Sequence, residues 1–170
     1  SGSTLGRSSA ASDVDKRRVY DCSIPGLNAF DANGLYVHNC GEINLRPWEF
    51  CNLSAAVARV DDTLDTLRDK VEVSTIIGTI QSLATYFPGL RPIWQQNCEE
   101  ERLLGVDITG QMDSPAAQDA QVKRHLREIA SDVNRTLAQQ LGINPSAAIT
   151  CVKPSGNSSQ LLNCASGLHA

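Results

Sequence analysis

The stretch from Ser114 to Gly142 constrains this chain most. Ser114 followed by Pro115 is a helix start, because proline is pre-set for the first turn and lacks only a hydrogen that would be unbonded there. The apolar residues Val122, Leu126, Ile129, Val133, Leu137 and Leu141 then recur at three and four, and Gly142 stops the pattern. The spacing predicts a rod of roughly 40 Å with one apolar stripe, which has to lie on another layer.

What that layer is follows from the flanks. Asp62 reads as an N-cap for another helix, on which Leu64, Leu67, Val71, Ile76, Ile77, Ile80, Leu83 and Ala84 define a buried face, while residues 50–60 are ambiguous. Residues 103–109 read as a strand between the helices, and 148–152 as another that runs into Lys153-Pro154-Ser155-Gly156 and a short helix from Asn157. Strands alternating with long helices predict an α/β arrangement. Residues 19–45 instead read as short strands broken at Pro25-Gly26 and Asn33-Gly34, the second a two-residue hairpin turn. The first eighteen residues are Ser, Gly and charge, expected to be a flexible linker or remnant.

Charge and composition exclude several classes. The fifteen Lys and Arg are scattered against nineteen acidic residues, so no nucleic-acid footprint is present. The longest uncharged run, residues 73–90, is interrupted by Ser74, Thr75, Thr79, Gln81, Ser82 and Pro88, which argues against a membrane span. The beginning has no apolar run of a signal peptide, and an intracellular, cytoplasmic protein is expected. The six cysteines show no C-x-x-C spacing, so structural zinc is not expected and Cys22, Cys98, Cys151 and Cys164 are read as buried, inert thiols.

Two stretches carry chemistry. In VYDCSIPGLNAFDANGLYVHNC, the residues His38, Asn39 and Cys40 follow directly on a hairpin. An Asn amide can attack its own carbonyl and cleave the next peptide bond, an imidazole can move the proton, and a thiol can hold an acyl group. For those three residues alone, an ordinary strand is the better reading. The longer pattern, with Val19-Tyr20-Asp21, Phe30, Asn33-Gly34 and Val37-His38-Asn39-Cys40, resembles the C-terminal splicing blocks of inteins. The resemblance implies that residues 19–39 are an intein end of the HINT type. Asn39 would cyclise, His38 would assist, and Cys40 would begin the C-extein. Asn28 stands where this family usually has His, and the N-terminal splicing blocks are not among these residues, so N-terminal intein and extein portions are implied partners.

Downstream, Cys40-Gly41-Glu42 puts a thiol and a carboxylate on one side of an extended chain. A bend at Arg46-Pro47 would bring Cys51 back towards Glu42. The alternative is two core cysteines and a surface Glu. Here CGEINLRPWEFCNLS, LRPIWQQNCEEERLLGVDITGQMD and INPSAAITCVKPSGNSSQLLNCASGLH resemble the catalytic subunit of adenosylcobalamin-dependent (class II) ribonucleotide reductases, closest to the monomeric triphosphate-reducing type. The likeness covers residues 40–170. It implies part of a ten-stranded α/β barrel with Cys40 on its finger loop, ribonucleotide as substrate, a thioredoxin-type dithiol as reductant, and a radical from cobalt–carbon homolysis of adenosylcobalamin, bound mainly by parts outside this chain. Cys40 would be the thiyl radical that takes the ribose 3′ hydrogen, Glu42 would accept the 3′ hydroxyl proton, and Cys51 would be one of two reducing thiols, its partner lying upstream. The Asn-Pro usual before the radical cysteine is replaced by His38-Asn39, as an intein inserted before Cys40 would require.

The Lys153-Pro154-Ser155-Gly156-Asn157-Ser158 turn can be read without the family, since a small turn opening a helix offers N–H groups and hydroxyls to an anion. The alternative is a plain capped helix. The resemblance assigns Ser155, Gly156, Asn157 and Ser158 to the substrate phosphates, with Asn157 in a position where many relatives have Thr. Glu99, Glu100 and Glu101 read as a solvated acidic face, His125 and His169 have no catalytic case, and Trp48 and Trp94 read as packing residues. A non-enzymatic reading remains beside these: a self-processing product or inert fragment with no reductase activity of its own.

Overall fold

The computed structural model describes residues 5–7, 20–22, 29–32 and 35–38 as backbone, and residues 45–167 with their side chains. The chain divides into two units, Ser1–Gly41 and Glu42–Ala170. In the first, β1 (Leu5–Arg7) pairs antiparallel with β2 (Tyr20–Cys22). β1 falls in the stretch expected to be a linker. β3 (Ala29–Ala32) pairs antiparallel with β4 (Leu35–His38), with Ala32 opposite Leu35, and the turn expected at Asn33-Gly34 lies outside the described residues.

The second unit is mixed α/β. Its elements are β5 (Asn52–Val57), α1 (Leu64–Gln81), α2 (Pro92–Glu101), β6 (Leu104–Thr109), a 3-10 turn at Gln111–Asp113, α3 (Pro115–Gln118), α4 (Ala120–Leu141) and α5 (Gly156–Leu161). β5 and β6 run parallel with Ser54 opposite Val106, and the chain returns beside β6 through a parallel bridge from Val106 to Thr150. The expected strand at 148–152 is reduced to that bridge, secured by Val106 N–H to Ile149 O and Cys151 N–H to Val106 O. α1 and α4 pack on each other, and α1 on both strands. The core between these elements holds Ala56, Ala58, Leu67, Val71, Leu104, Val106 and Leu126.

Three expectations need correction. The N-cap of α1 is Thr63, not Asp62, because Thr63 and Thr66 exchange side-chain and backbone bonds in a capping box. Asp62 instead accepts the Arg59 N–H at 2.7 Å and pairs with the Lys70 amine at 2.6 Å. Burial alone would raise its carboxyl, but bonds from Lys70, Thr66 and Arg59 together hold it below the usual range. The rod expected from Ser114 breaks at Asp119, whose carboxylate accepts the Gln121 and Val122 N–H groups and starts α4 afresh. Gly142, at φ 67°, ends it as expected.

The third correction concerns which face of α1 is buried. Leu67 and Val71 are inside, but so are Ser74, Thr75, Gly78 and Thr79, while Ile76, Ile77, Ile80 and Leu83 lie exposed. Small side chains let the helix approach the strands and α4 closely. Most of the polar atoms are satisfied on the way: Thr75 and Thr79 hydroxyls donate to carbonyls one turn back, and Asn134 of α4 donates to Thr79 Oγ1 at 3.0 Å, whereas Ser74 Oγ is buried without a partner.

Candidate active site

Side chains of a strand alternate between faces. On β6, Leu104 and Val106 enter the core with Ile108 packed against it, so Gly105, Asp107 and Thr109 belong to the opposite face. That second face borders the candidate site residues.

At one end, Cys51 precedes β5 and is half-buried. The loop before it is locked to α2, an element the sequence reading missed. Asn97 Nδ2 donates to the carbonyls of Pro47 and Trp48, both at 3.1 Å. Phe50 stacks on Trp94 at 4.5 Å and meets Phe87 edge-on at 4.9 Å, while Trp48 meets Trp94 edge-on at 5.8 Å beneath the Arg91 guanidinium at 4.4 Å. The two tryptophans are packing residues, as expected. Arg46 bridges Glu49, Glu100 and Glu101 at 3.0–3.4 Å, so part of the acidic run is a docking partner of this loop rather than a solvated face.

Glu49 is buried, and its Oε2 has no hydrogen-bond partner. Burial, followed by the Glu101 carboxylate, pushes its carboxyl upward against the pull of Arg46. A proton on Glu49 would give that oxygen a bond to make with Glu101. Burial also pushes the Cys51 thiol up to about 12, with Cys151 adding to the shift and the Lys153 amine opposing it. Cys51 is therefore a thiol, not a thiolate, at neutral pH.

At the other end stands the turn after Thr150. Lys153 reaches back to donate from Nζ to Ser54 O of β5 at 2.7 Å. Ser155 is buried and left-handed at φ 53°, and its hydroxyl donates to Asp107 at 3.2 Å. Of the four expected anion contacts, then, Ser155 has its hydroxyl committed to Asp107 and Ser158 has its own on the Ser155 carbonyl at 3.1 Å, while Gly156, Asn157 and Ser158 are exposed. Cys151 and Cys164 are half-buried rather than enclosed, and Cys98 is buried.

Cys51 lies within electrostatic reach of Cys151 and of Lys153 in the 153–158 turn. Asn39, Cys40 and Glu42 lie outside the described residues, and His38 is described only as the end of β4. The bend that would return Cys51 towards Glu42 therefore has no described partner at its far end. Sequence reasoning missed Glu49, Asn97 and Asp107. The one available signal was an acid in the middle of the apolar strand LGVDIT, where burial makes a carboxylate costly unless something binds it. Among the described residues no group of three His, Cys, Asp or Glu side chains could hold a metal ion, and no helix is long and apolar enough to cross a membrane.

The fold of the second unit is similar to part of a B-12 dependent (class II) ribonucleotide reductase. A crystal structure of such an enzyme superimposes with a TM-score of 0.62 over 78% of this chain and 22% of its own, at 19% identity. In sequence the chain is similar to a protein of Mycobacterium phage D29, provisionally named an adenosylcobalamin-dependent ribonucleoside-triphosphate reductase, with 26% identity over 145 residues. That match takes in 76% of this chain and 21% of the phage protein, so the chain spans about a fifth of the length of each relative. No family model matches the chain.

Proposed function

We propose that residues 40–170 are a segment of the catalytic subunit of an adenosylcobalamin-dependent ribonucleotide reductase acting on ribonucleoside triphosphates. The observation that carries the reading is that Lys153, from the 153–158 turn, reaches back to the Ser54 carbonyl of β5 at 2.7 Å, on the strand that the half-buried Cys51 directly precedes. In this reading two thiols become a disulfide as the ribose 2′ hydroxyl leaves as water. One nucleotide and two thiols give one deoxynucleotide, one disulfide and one water. Cys51 is one of the thiols and brings its own proton to the step. Its partner comes from outside this chain, and a thioredoxin-type dithiol resets the pair. Cys40 is the thiyl radical that takes the 3′ hydrogen, and Glu42 accepts the 3′ hydroxyl proton. Gly156, Asn157 and Ser158 receive the substrate phosphates, and Ser155 shapes their turn.

The described residues do not fit the cofactor. The groove beside β5 is about 670 Å³, within the range that serves drug-sized ligands and far short of a corrin. The cofactor's site belongs to other parts of the protein, and no step above runs through it. A ten-stranded barrel with Cys40 on its finger loop is supported by two features. Among the described residues β5 is paired on one side alone, and the apolar face of α1 beside it is uncovered.

A second reading concerns residues 19–39, favoured by the β3–β4 hairpin that ends at His38. They form the C-terminal end of an intein, with Asn39 cyclising, His38 assisting and Cys40 accepting the upstream acyl group before it serves as radical site. N-terminal intein and extein portions complete the cycle.

One preparation tests both readings: protein expressed from the complete reading frame, analysed by intact mass and assayed with nucleoside triphosphate, adenosylcobalamin and dithiol. Deoxynucleotide formation that is lost in Cys40→Ser and in Cys51→Ser is expected. Turnover that survives Cys51→Ser would overturn its role. A mass that retains residues 19–39, unchanged by Asn39→Ala, would overturn splicing.

A further inference from the structure

Asp107 is 1% exposed, on the face of β6 that looks away from the helices. A carboxylate so enclosed needs donors to replace its lost hydration. Both of its oxygens find them in the same short turn. Oδ1 accepts the Lys153 backbone N–H at 3.2 Å, and Oδ2 accepts the Ser155 hydroxyl at 3.2 Å. Burial drives the carboxyl upward, and the Lys153 N–H, the Lys153 amine and Ser155 pull it back.

The turn needs holding. Ser155 sits at φ 53°, ψ 19°, a left-handed conformation that a residue with a Cβ adopts only when its surroundings impose it. Other grips act on single residues of the turn: Ser166 Oγ donates to Pro154 O, and Ser158 Oγ and the Ser159 N–H donate to Ser155 O, at 3.1 and 2.9 Å. Lys153 is held twice more. Its amine is on Ser54 O, and its carbonyl lies so close to Gly167 that a Cβ there would collide with it. Asp107 is the group that ties the two ends of the dipeptide step together, at the amide of 153 and the hydroxyl of 155. Where Ser155 points decides where Gly156, Asn157 and Ser158, which follow it directly, are presented.

We propose that Asp107 is the positioning residue of the 153–158 turn, setting the direction in which the turn meets a substrate polyphosphate. The proposal rests on the reading that this turn takes the phosphates. Asp107 touches no substrate itself. It also fixes the part played by Ser155, whose hydroxyl orients the backbone instead of binding the ligand. The substitutions grade accordingly. Asp107→Ala removes both bonds. Asp107→Asn keeps an acceptor for the Lys153 N–H and reverses the bond to Ser155. Ser155→Ala removes one bond and leaves Asp107 in place.

The test has two readouts. Amide hydrogen exchange on the 170-residue chain follows the turn itself. Exchange at Lys153 and at 155–158 is expected to rise by about a hundredfold in Asp107→Ala, less in Asp107→Asn and Ser155→Ala, with α1 and α4 unchanged. Steady-state kinetics on the complete reductase follow the consequence. The nucleotide KM is expected to rise about tenfold in Asp107→Ala and about threefold in the two milder variants, with kcat held within a factor of about three. A merely structural role would lower kcat and loosen α1 and α4 with the turn. If Asp107→Ala does not fold, the two milder variants carry the same comparison. Unchanged protection at Lys153, or a loosened turn with an unchanged KM, overturns the proposal. A complete protein that reduces no nucleotide, while the turn loosens as expected, overturns the reductase reading and leaves the grip of Asp107 on the turn standing.

Discussion

The two faces of the β5–β6 sheet are built from opposite materials. The face under α1 and α4 is made of Ala56, Ala58, Leu104 and Val106, and the helices that cover it add Gly78, Ala130 and Ala138. Small side chains there allow close approach, and Asn134 of α4 is bonded to Thr79 of α1. The other face holds an enclosed carboxylate at Asp107 and borders a half-buried thiol at Cys51, with the Lys153 amine reaching across. One alternation along one strand therefore separates what makes the fold from what can do chemistry. The cost of enclosing polar groups on the second face is offset by bonds to a turn that the first face never touches.

The substitution expected to damage both faces at once is Gly110→Ala, at the end of β6. Gly110 stands at φ 75°, and an added Cβ would come within 2.5 Å of Ala58 O and 3.3 Å of Cys164 Cβ. The obstruction is backbone, so no rotamer relieves it. A loss of at least about 3 kcal/mol is expected from the strain and the overlap together. Gly142→Ala, with a similar φ but open space around it, should lose only about 1 kcal/mol. Urea midpoints of the two variants check the difference, and equal losses would mean that β5 yields at Ala58.

The next effect belongs to the chemical face alone. With its thiol pushed up to about 12 by burial, then Cys151, against Lys153, Cys51 carries almost no thiolate at pH 7. Raising an acid's pKa lowers its deprotonated fraction at any fixed pH below it. Alkylation of Cys51 should therefore climb about tenfold per pH unit from pH 7 to pH 10 without levelling off. Lys153→Met removes the one cation that opposes the shift and should slow the reaction further. Mass-spectrometric rates at the Cys51 peptide decide it. A plateau near pH 8 would mean that the thiol is solvated and the face open.

On the core face, Asn134 is the polar group whose loss should cost most. It is 1% exposed and makes three bonds: to Thr79 Oγ1 at 3.0 Å, to Ser146 Oγ at 2.9 Å, and from the Ser146 N–H at 2.9 Å. Asn134→Ala leaves the Ser146 N–H without its acceptor and opens a cavity, for an expected loss of about 2–3 kcal/mol. Denaturant unfolding measures it. A loss below about 0.5 kcal/mol would show that water takes over the bonds and that this face is wetter than its packing suggests.

How legible these faces are in the sequence follows from how local their causes are. α4 announces itself through Leu126 and its half-buried neighbours Val122, Ile129, Val133 and Leu137, because an apolar period of 3.6 and a terminal Gly are local signals. The buried face of α1 does not. Ile76, Ile77 and Ile80 outrank Ser74, Thr75 and Thr79 in hydrophobicity, and only the closeness of α4 and β6 reverses their order. α2 is invisible for a related reason. Its sequence, PIWQQNCEEE, lacks a strong stripe, and it is held by aromatic contacts and Asn97 to a loop some fifty residues earlier. The site divides in the same way. Cys51 and the 153–158 turn stand in motifs that can be quoted, whereas Asp107 acquires its partners only when the chain returns beside β6, forty-six residues later in the bond from Lys153.

The smallest expected effect has the opposite sign and sharpens the picture of the core face. Gly78 lies in the middle of α1, where glycine disfavours helix relative to alanine by about 1 kcal/mol. It does not need a positive φ, and an added Cβ would meet Leu104 Cδ1, Leu104 Cδ2 and Ser54 Oγ, each at 3.5 Å. Those are ordinary van der Waals distances. Gly78→Ala should therefore fit without moving α1 and gain up to about 1 kcal/mol, a rise in Tm of roughly 2–4 °C. Ser54 Oγ is already buried without a partner, so the methyl adds contact without taking a bond away. If the melting temperature falls instead, α1 sits closer to β5 than the small residues of this face require. Ala56 and Ser54 would then be the positions where further enlargement fails first.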